Sequence, residues 1–295
     1  MKRYYPAAGL GRLCRLFGKT RQGFYDKKSR CNNRAFERAL VVDQARQMRL
    51  NSLTVKTGGV KMHKILKAAL AAHNVSIGRD RFLDLLRAEG LLLKKKRKYA
   101  RTTDSNHPYP RYPNLIKGVE PTAVGQIWVS DITYLRTNDG FLYLSLITDA
   151  FSRKIVGDHL SHNLRAEGCL RALDKAIASK TSSGQLTHHS DRGIQYCCDD
   201  YVQKLKLNKI KLSMTQDGNP YDNAVAERVN GILKTELGLE KTFASYNEAV
   251  AATHTAIDFY NRSRPHMSLG YLNPEQVHAG QQPLKKAWKT KKRSL

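Results

Sequence analysis

At Gln126 the hydrophobic period of the chain changes from helical to strand-like, and the order of elements that follows admits few folds. Residues 127–134 and 141–148 are β-branched and aromatic runs separated by Thr137-Asn-Asp-Gly140, a hairpin turn signal. Residues 155–159 supply a third strand paired in a meander. A helix over about 164–179 follows, with Leu170, Leu173, Ala176 and Ile177 at core spacing. Next come a short strand (186–190), a helix (199–207) and another short strand (209–213). The turn Asn219-Pro-Tyr-Asp222 then delivers Asn223 as the N-cap of a further helix. The order β-β-β-α-β-α-β-α predicts an α/β fold, a mixed five-stranded sheet flanked by helices. A last helix over about 246–261 leads into Arg262-Ser-Arg-Pro-His266.

The chain before this region reads as helical. In residues 9–28, Leu10, Leu13, Cys14 and Phe17 share one helical face, Gly18 can end that helix and Thr20 can cap a second. This is the pattern of a helix-turn-helix and equally of a plain helical hairpin. Three more helices are expected over about 37–50, 59–72 and 76–90. In the last of these Phe82, Leu83, Leu85 and Leu86 form the buried stripe, which leaves Arg79, Arg81 and Arg87 outside, either along a DNA groove or simply solvated. Lys94-Lys-Lys-Arg-Lys98 and a Pro- and Asn-containing stretch to residue 114 then interrupt regular structure. The resulting division is a short helical segment (1–35), a helical DNA-binding domain (36–101), a linker (102–122), a catalytic core (123–283) and a basic tail (284–295).

Charge follows that division. The chain of 295 residues has a net charge of +26. Residues 1–101 hold 26 basic against 6 acidic side chains, 102–283 hold 19 of each, and 284–295 hold 6 basic and none acidic. Basic ends that grip a polyanion, with a neutral middle that leaves carboxylates free for cations, point to double-stranded nucleic acid as partner. Lys94, Lys95, Lys96 and Arg97 are placed to follow a phosphate backbone. Five cysteines without a Cys-x-x-Cys pair indicate neither a disulfide framework nor a zinc site. With no export signal and no run of 18 apolar residues, the expectation is a reduced, cytoplasmic protein.

Three acidic residues fall at strand ends or on a helix face where carboxylates can share a pocket. They are Asp131 in Trp128-Val-Ser-Asp-Ile-Thr-Tyr134, Asp191 in His188-His-Ser-Asp-Arg-Gly193, and Glu227 in Asn223-Ala-Val-Ala-Glu-Arg-Val-Asn230. Phosphodiester cleavage needs a clamp on the attacking and the leaving oxygen, which two divalent metals about 4 Å apart supply. Hard Mg²⁺ takes oxygen ligands, so three carboxylates suffice. In this reading Asp131 bridges two Mg²⁺, Asp191 and Glu227 hold one each, and Mn²⁺ substitutes. His189 either orients the scissile phosphate or packs against its sheet. Asn223 and Asn230 contact the DNA backbone, unless Asn223 only caps its helix. Arg228 and Lys234 either meet DNA or form solvated surface. Asp149 reads as structural, and Asp222 and Glu236 are rival third carboxylates.

These motifs, with Asp149-Ala-Phe-Ser-Arg-Lys-Ile-Val-Gly157, Asn219-Pro-Tyr-Asp-Asn-Ala-Val-Ala-Glu227 and Tyr260-Asn-Arg-Ser-Arg-Pro-His266, resemble the retroviral-type integrase core of bacterial insertion-sequence transposases. More narrowly they resemble the second reading-frame product of the IS-three family. The N-terminal part is also similar to that product, through Leu13-Cys-Arg-Leu-Phe17, Phe24-Tyr25 and a helix-turn-helix-like segment from about residue 59 to 91. The resemblance implies a ribonuclease H-like fold in a nucleoid-associated bacterial protein. It also implies cleavage at terminal inverted repeats, transfer of the freed 3′-hydroxyl to DNA, and a homo-oligomer on DNA. An upstream reading-frame product often supplies a leucine zipper in this family, and no such heptad run exists here. The alternative class is a non-catalytic DNA-binding regulator of transposition.

Overall fold

The computed structural model describes residues 9–16, 18–51, 53–93, 109–181, 184–216 and 223–281. Lys94, Lys95, Lys96 and Arg97, the turn 219–222 and the tail 284–295 lie outside the described residues. The chain forms two compact units, Met1–Asn51 with Gly58–Lys94, and Ser52–Thr57 with Lys95–Leu295.

The first unit is all helical. Helix α1 (Leu10–Leu16) ends at Gly18, which takes the left-handed φ of 62° that a side chain would resist, and Lys19 N–H closes the turn on Cys14 O at 2.8 Å. Thr20 Oγ1 caps α2 by accepting from Gly23 N–H at 2.9 Å. Helix α2 then runs unbroken from Arg21 to Leu50. The short helix expected after Thr20 and the one expected at 37–50 are therefore one element, and the division at residues 35 and 36 falls inside it. Cys31-Asn-Asn-Arg34 holds no glycine or proline, so nothing there stops the backbone ladder. Helices α3 (Gly59–Ala72) and α4 (Arg79–Ala88) close a core of Val41, Ala45, Met62, Leu66, Leu70, Phe82 and Leu86. Of the predicted α4 stripe only Phe82 and Leu86 are fully buried, with Leu83 and Leu85 at the margin. Glu89 ties this end to α2 through Arg38 and Arg46 at 3.0 and 3.1 Å.

The second unit is the expected mixed sheet. Strands β1 (Ile127–Thr137), β2 (Gly140–Asp149), β3 (Ile155–Ser161), β4 (Thr187–Ser190) and β5 (Lys211–Met214) lie in the order β3-β2-β1-β4-β5. The first three form the antiparallel meander, and β4 and β5 add in parallel. A two-residue strand, β6 (Thr242–Phe243), joins the far end of β1. The sequence carries no alternation long enough to announce it.

Alternating strand residues feed two cores. Trp128, Ile147 and Val156 face α5 (Ala166–Ala178), α6 (Ile194–Cys197) and α7 (Asp199–Leu207). Leu135, Leu142, Leu144, Leu146 and Ile155 face α8 (Ala224–Thr235) and α9 (Tyr246–Arg262). A short last helix, α10 (Pro274–His278), starts with a capping box at Asn273 and Gln276. With a strand period of two, Asp131 shares the parity of Leu135 and so belongs to the α8 face.

Strand β3 and α5 touch backbone to backbone at Gly157. A Cβ there would lie 2.2 Å from the Ala172 carbonyl oxygen and 2.9 Å from the Ala176 Cβ. Gly157→Ala must therefore push α5 off the sheet, and a loss of about 2 kcal/mol is expected. The urea midpoint measures it at constant m-value; an unchanged midpoint would show that the two elements part without cost.

Candidate active site

Two of the three carboxylates owe their position to the β1–β4 register. The last parallel pair is Val129 with His189, and Asp131 and Asp191 each stand two residues beyond it. Beyond that point β1 continues against β2, where Asp131 pairs with Leu146, while β4 stops at Ser190. Strand β4 thus ends beside a β1 that runs on, which leaves Asp131 on β1 next to the loop that carries Asp191. Asp191 is held in its loop by Gly193 N–H, 3.0 Å from Oδ1, and a Cβ on Gly193 would press on that same oxygen.

Glu227 comes from α8, which crosses β1 on this side. Asn223, Glu227 and Asn230 lie within about 60° of one another around the helix axis at 100° per residue. Both asparagines reach the strand. Asn223 Nδ2 donates to the Ser130 carbonyl at 3.0 Å, and Asn230 Nδ2 donates to Asp131 Oδ2 at 2.7 Å. Glu227 sits between them and is exposed. Asn223 occupies the N-cap position, yet its side chain makes no cap bond, so the capping role expected of it is replaced by this tie to β1.

The electrostatics are those of crowded acids. Asp131 is pushed up to about 7, first by burial, then by the Asp191 carboxylate, with Glu227 adding a smaller repulsion. The Asn230 amide and the Ile132 N–H, 2.9 Å from Oδ1, oppose that rise without cancelling it. Every charge acting on Asp131 in this way is a carboxylate. An all-oxygen, mutually repelling set suits a hard divalent cation in kind. Among the described residues, no three His, Cys, Asp or Glu side chains converge closely enough to share one ion. The Asp191 charge acts on Asp131 more strongly than that of Glu227.

The surrounding polar residues sort into supports and surface. His189 is fully buried, with Nδ1 2.8 Å from Ser213 Oγ, the packing role rather than a site role. His188, unremarked in the sequence, hydrogen-bonds through Nε2 with Ser130 Oγ at 2.6 Å and Tyr201 OH at 3.0 Å, and burial pushes its ring down to about 3. Asp149 is structural, accepting from Gly125 N–H, Ser152 N–H and Ser152 Oγ, each at 2.8 Å. The rival acid Glu236 is taken by Arg264, Nη2 to Oε2 at 2.7 Å and Nε to Oε1 at 3.1 Å, with the arginine only 2% exposed. Lys234 holds its ammonium 4.0 Å from the centre of the Tyr134 ring, whereas Arg228 is exposed. In the helical unit Arg79 pairs with Asp80 at 2.8 Å on the surface, and Arg81 lines a cleft between α2 and α4 with Arg34 and Arg38. Arg264 was missed because its partner lies 28 residues away, a distance at which no spacing rule applies.

Residues 121–220 match the family described as integrase core domain, and 208–274 match a second profile of that description. A 31 kDa protein of insertion element IS600 from Shigella sonnei is 35% identical over 264 residues, which cover 89% of this chain and 96% of that protein. The transposase InsF for insertion sequence IS3A of Escherichia coli (strain K12) is 36% identical over 193 residues, 65% of this chain and 67% of its own. The transposase for insertion sequence element IS629 of Shigella sonnei is 32% identical over 208 residues, 70% of each. In the simian T-cell lymphotropic virus intasome, solved with the PP2A regulatory subunit B56 gamma, a chain 20% identical covers 80% of this one at a TM-score of 0.46. An α/β sheet with the two family matches and these sequence relatives defines an integrase-core protein. The chain belongs to the IS-three family of insertion-sequence transposases, DNA-cleaving and DNA-joining enzymes of transposition. No helix among the described residues is long and apolar enough to cross a membrane.

The raised Asp131 has a stability consequence of definite sign. Its native carboxyl keeps a proton to about pH 7, whereas the unfolded one releases it near 3.8, so the metal-free protein loses stability as pH rises between those values. Asp131→Asn removes the charge. It is expected to raise the metal-free Tm at pH 8, by about 2–4 °C for each kcal/mol relieved, and to change it little at pH 4. A pH-independent difference would contradict the crowding.

Proposed function

We propose that this chain is a transposase that cleaves the ends of an insertion sequence and joins the freed 3′-hydroxyl to DNA, with Asp131, Asp191 and Glu227 as its catalytic carboxylates. The observation that supports the reading is the end of the β1–β4 pairing, which leaves Asp131 and Asp191 each two residues past the last pair, with Asp131 under the charges of both Asp191 and Glu227. Matches to transposases from two bacterial species support the DNA substrate.

The three carboxylates would hold two Mg²⁺ ions, or Mn²⁺ in their place. Bound there, divalent metal supplies Lewis-acid stabilisation of the attacking and leaving oxygens of an in-line displacement. The residues do the rest. Asp131, on β1 and under the charges of both Asp191 and Glu227, would be the ligand common to both ions. Water attacks phosphorus and the 3′-oxygen leaves; that 3′-hydroxyl then attacks a second phosphodiester, one P–O bond forming for each that breaks. Arg228, exposed beside Glu227, and Lys234 one turn and a half further along α8 would meet the backbone of the substrate strand. Arg79 and Arg81, the run Lys94, Lys95, Lys96 and Arg97, and the basic tail would supply phosphate contacts that carry no sequence information. His189 and Asn223, both buried, would act on DNA only through the residues they support. Joining two element ends calls for at least two copies on DNA, and an upstream reading-frame product would add contacts this chain lacks. The setting would be the bacterial cytoplasm and its nucleoid.

The test is strand cleavage and strand transfer on labelled terminal-repeat DNA with Mg²⁺ or Mn²⁺. Glu227→Gln is expected to reduce both by more than about 100-fold, beyond the range of a supporting residue, while DNA binding persists. Products unaffected by the substitution would remove Glu227 from the site. Binding without cleavage under every condition, with or without the upstream-frame product, would make the chain a non-catalytic regulator.

A further inference from the structure

Asp131 has both carboxyl oxygens committed to the protein. Oδ1 accepts from the Ile132 N–H at 2.9 Å and Oδ2 from Asn230 Nδ2 at 2.7 Å. A carboxylate oxygen offers two lone pairs, so each keeps one after these bonds. The plane of the carboxylate is thereby set by two donors on different elements, strand and helix.

Asn230 is an unexpected residue in its surroundings. It is buried, among α8 neighbours Val229, Ile232 and Leu233 that pack on the sheet, and its Oδ1 has no hydrogen-bond partner. An aliphatic side chain would seat the helix without that unmet acceptor, so the amide calls for a reason other than packing. Asn223 already ties α8 to the backbone of β1 through the Ser130 carbonyl. What Asn230 adds is contact with a side-chain oxygen, one turn from Glu227 on the same face.

We infer that Asn230 is a positioning residue for the metal-binding carboxylates, locking the plane of Asp131 from the helix that carries Glu227 so that the two acids are aligned by one contact. The inference rests on the phosphoryl-transfer reading above. It gives the orphan amide oxygen a cause: the carboxamide is spent on a carboxylate, which can only accept, so its donor faces the strand and its acceptor is left over.

The experiment is Mn²⁺ titration of the full chain by calorimetry, with thermal unfolding in EDTA, for the wild type, Asp131→Asn, Asn230→Leu and Asn230→Gln. Leucine keeps the branching and heavy-atom count of asparagine with bulkier ends and removes the donor; glutamine keeps the carboxamide. Asn230→Leu is expected to unfold in EDTA no lower than the wild type, yet to bind Mn²⁺ about 10- to 100-fold more weakly, with Asn230→Gln recovering part of the loss. Wild-type affinity in Asn230→Leu would overturn the inference. So would weaker binding shared equally by both variants along with a fall in the EDTA unfolding temperature, since that is what a helix-seating role predicts. Failure of the wild type to bind Mn²⁺, or binding that Asp131→Asn leaves intact, would overturn the phosphoryl-transfer reading itself, and this inference with it.

Discussion

The parallel pairing of β1 with β4 stops after Val129 and His189, and the candidate site exists because of where it stops. Two residues further and Asp131 would pair with Asp191 in that ladder; a slip of one residue would turn Asp131 toward the α5 face, away from α8. What prevents the slip is a buried polar cluster at the last turn of the ladder. Ser130 Oγ meets His188 Nε2 across the two strands, and Tyr201 from α7 meets the same nitrogen. His189 meets Ser213 on β5, whose hydroxyl also accepts from Leu115 N–H at 2.8 Å. These groups are costly to bury unless paired, and the pairing exists in one register only. Polar residues in the core here set position rather than add stability.

The same logic explains how one acid is kept in play while another is withdrawn. Glu236 lies nine residues after Glu227 on or just beyond α8 and has the same chemistry, but Arg264 covers it from a nearly sealed position and His266 Nε2 sits 2.9 Å from the same guanidinium. A buried ion pair of this kind contributes little net stability against an apolar substitute, yet it tolerates no loss of either partner. It therefore works as a specification, anchoring the end of α8 to the segment after α9. Asp131 instead sits buried under the charges of Asp191 and Glu227, and burial first, then that repulsion, raises it toward neutrality.

Much of this was legible in the chain. The meander, its turn at Thr137-Asn-Asp-Gly140, and helices α3 and α7 follow from period and punctuation, which are local signals. The places of Asp131 inside β1 and of Asp191 just past β4 were legible because the order of strands is constrained. What escaped depends on the third dimension. The unbroken α2 escaped because propensity is weak where two asparagines interrupt a good helix former, and tertiary packing decides the outcome. Strand β6 has two residues and exists only because β1 runs past the rest of the sheet. The supporting role of Asn223 and Asn230 rests on a helix crossing a strand at a given height, which no periodicity records.

A motif that resembles a catalytic signature can also be scaffolding, and Tyr260-Asn-Arg-Ser-Arg-Pro-His266 shows how the two are told apart. Asn261 accepts from Ile155 N–H at 2.9 Å through Oδ1 and donates to Ile155 O at 3.0 Å through Nδ2. Its carboxamide thus imitates one residue of a neighbouring strand. Strand β3 is the edge of the sheet, where unpaired backbone groups invite a second chain to add on. Satisfying both groups of one edge residue from a buried side chain closes that position at the cost of a single amide, and does so from the helix whose end also supplies Arg264. In this motif Asn261 is spent on backbone, Arg262 on Asp258 and Arg264 on Glu236. A polar side chain that ends on the main chain organises the fold; the Asn230 amide differs in ending on a carboxylate inside β1, that of Asp131.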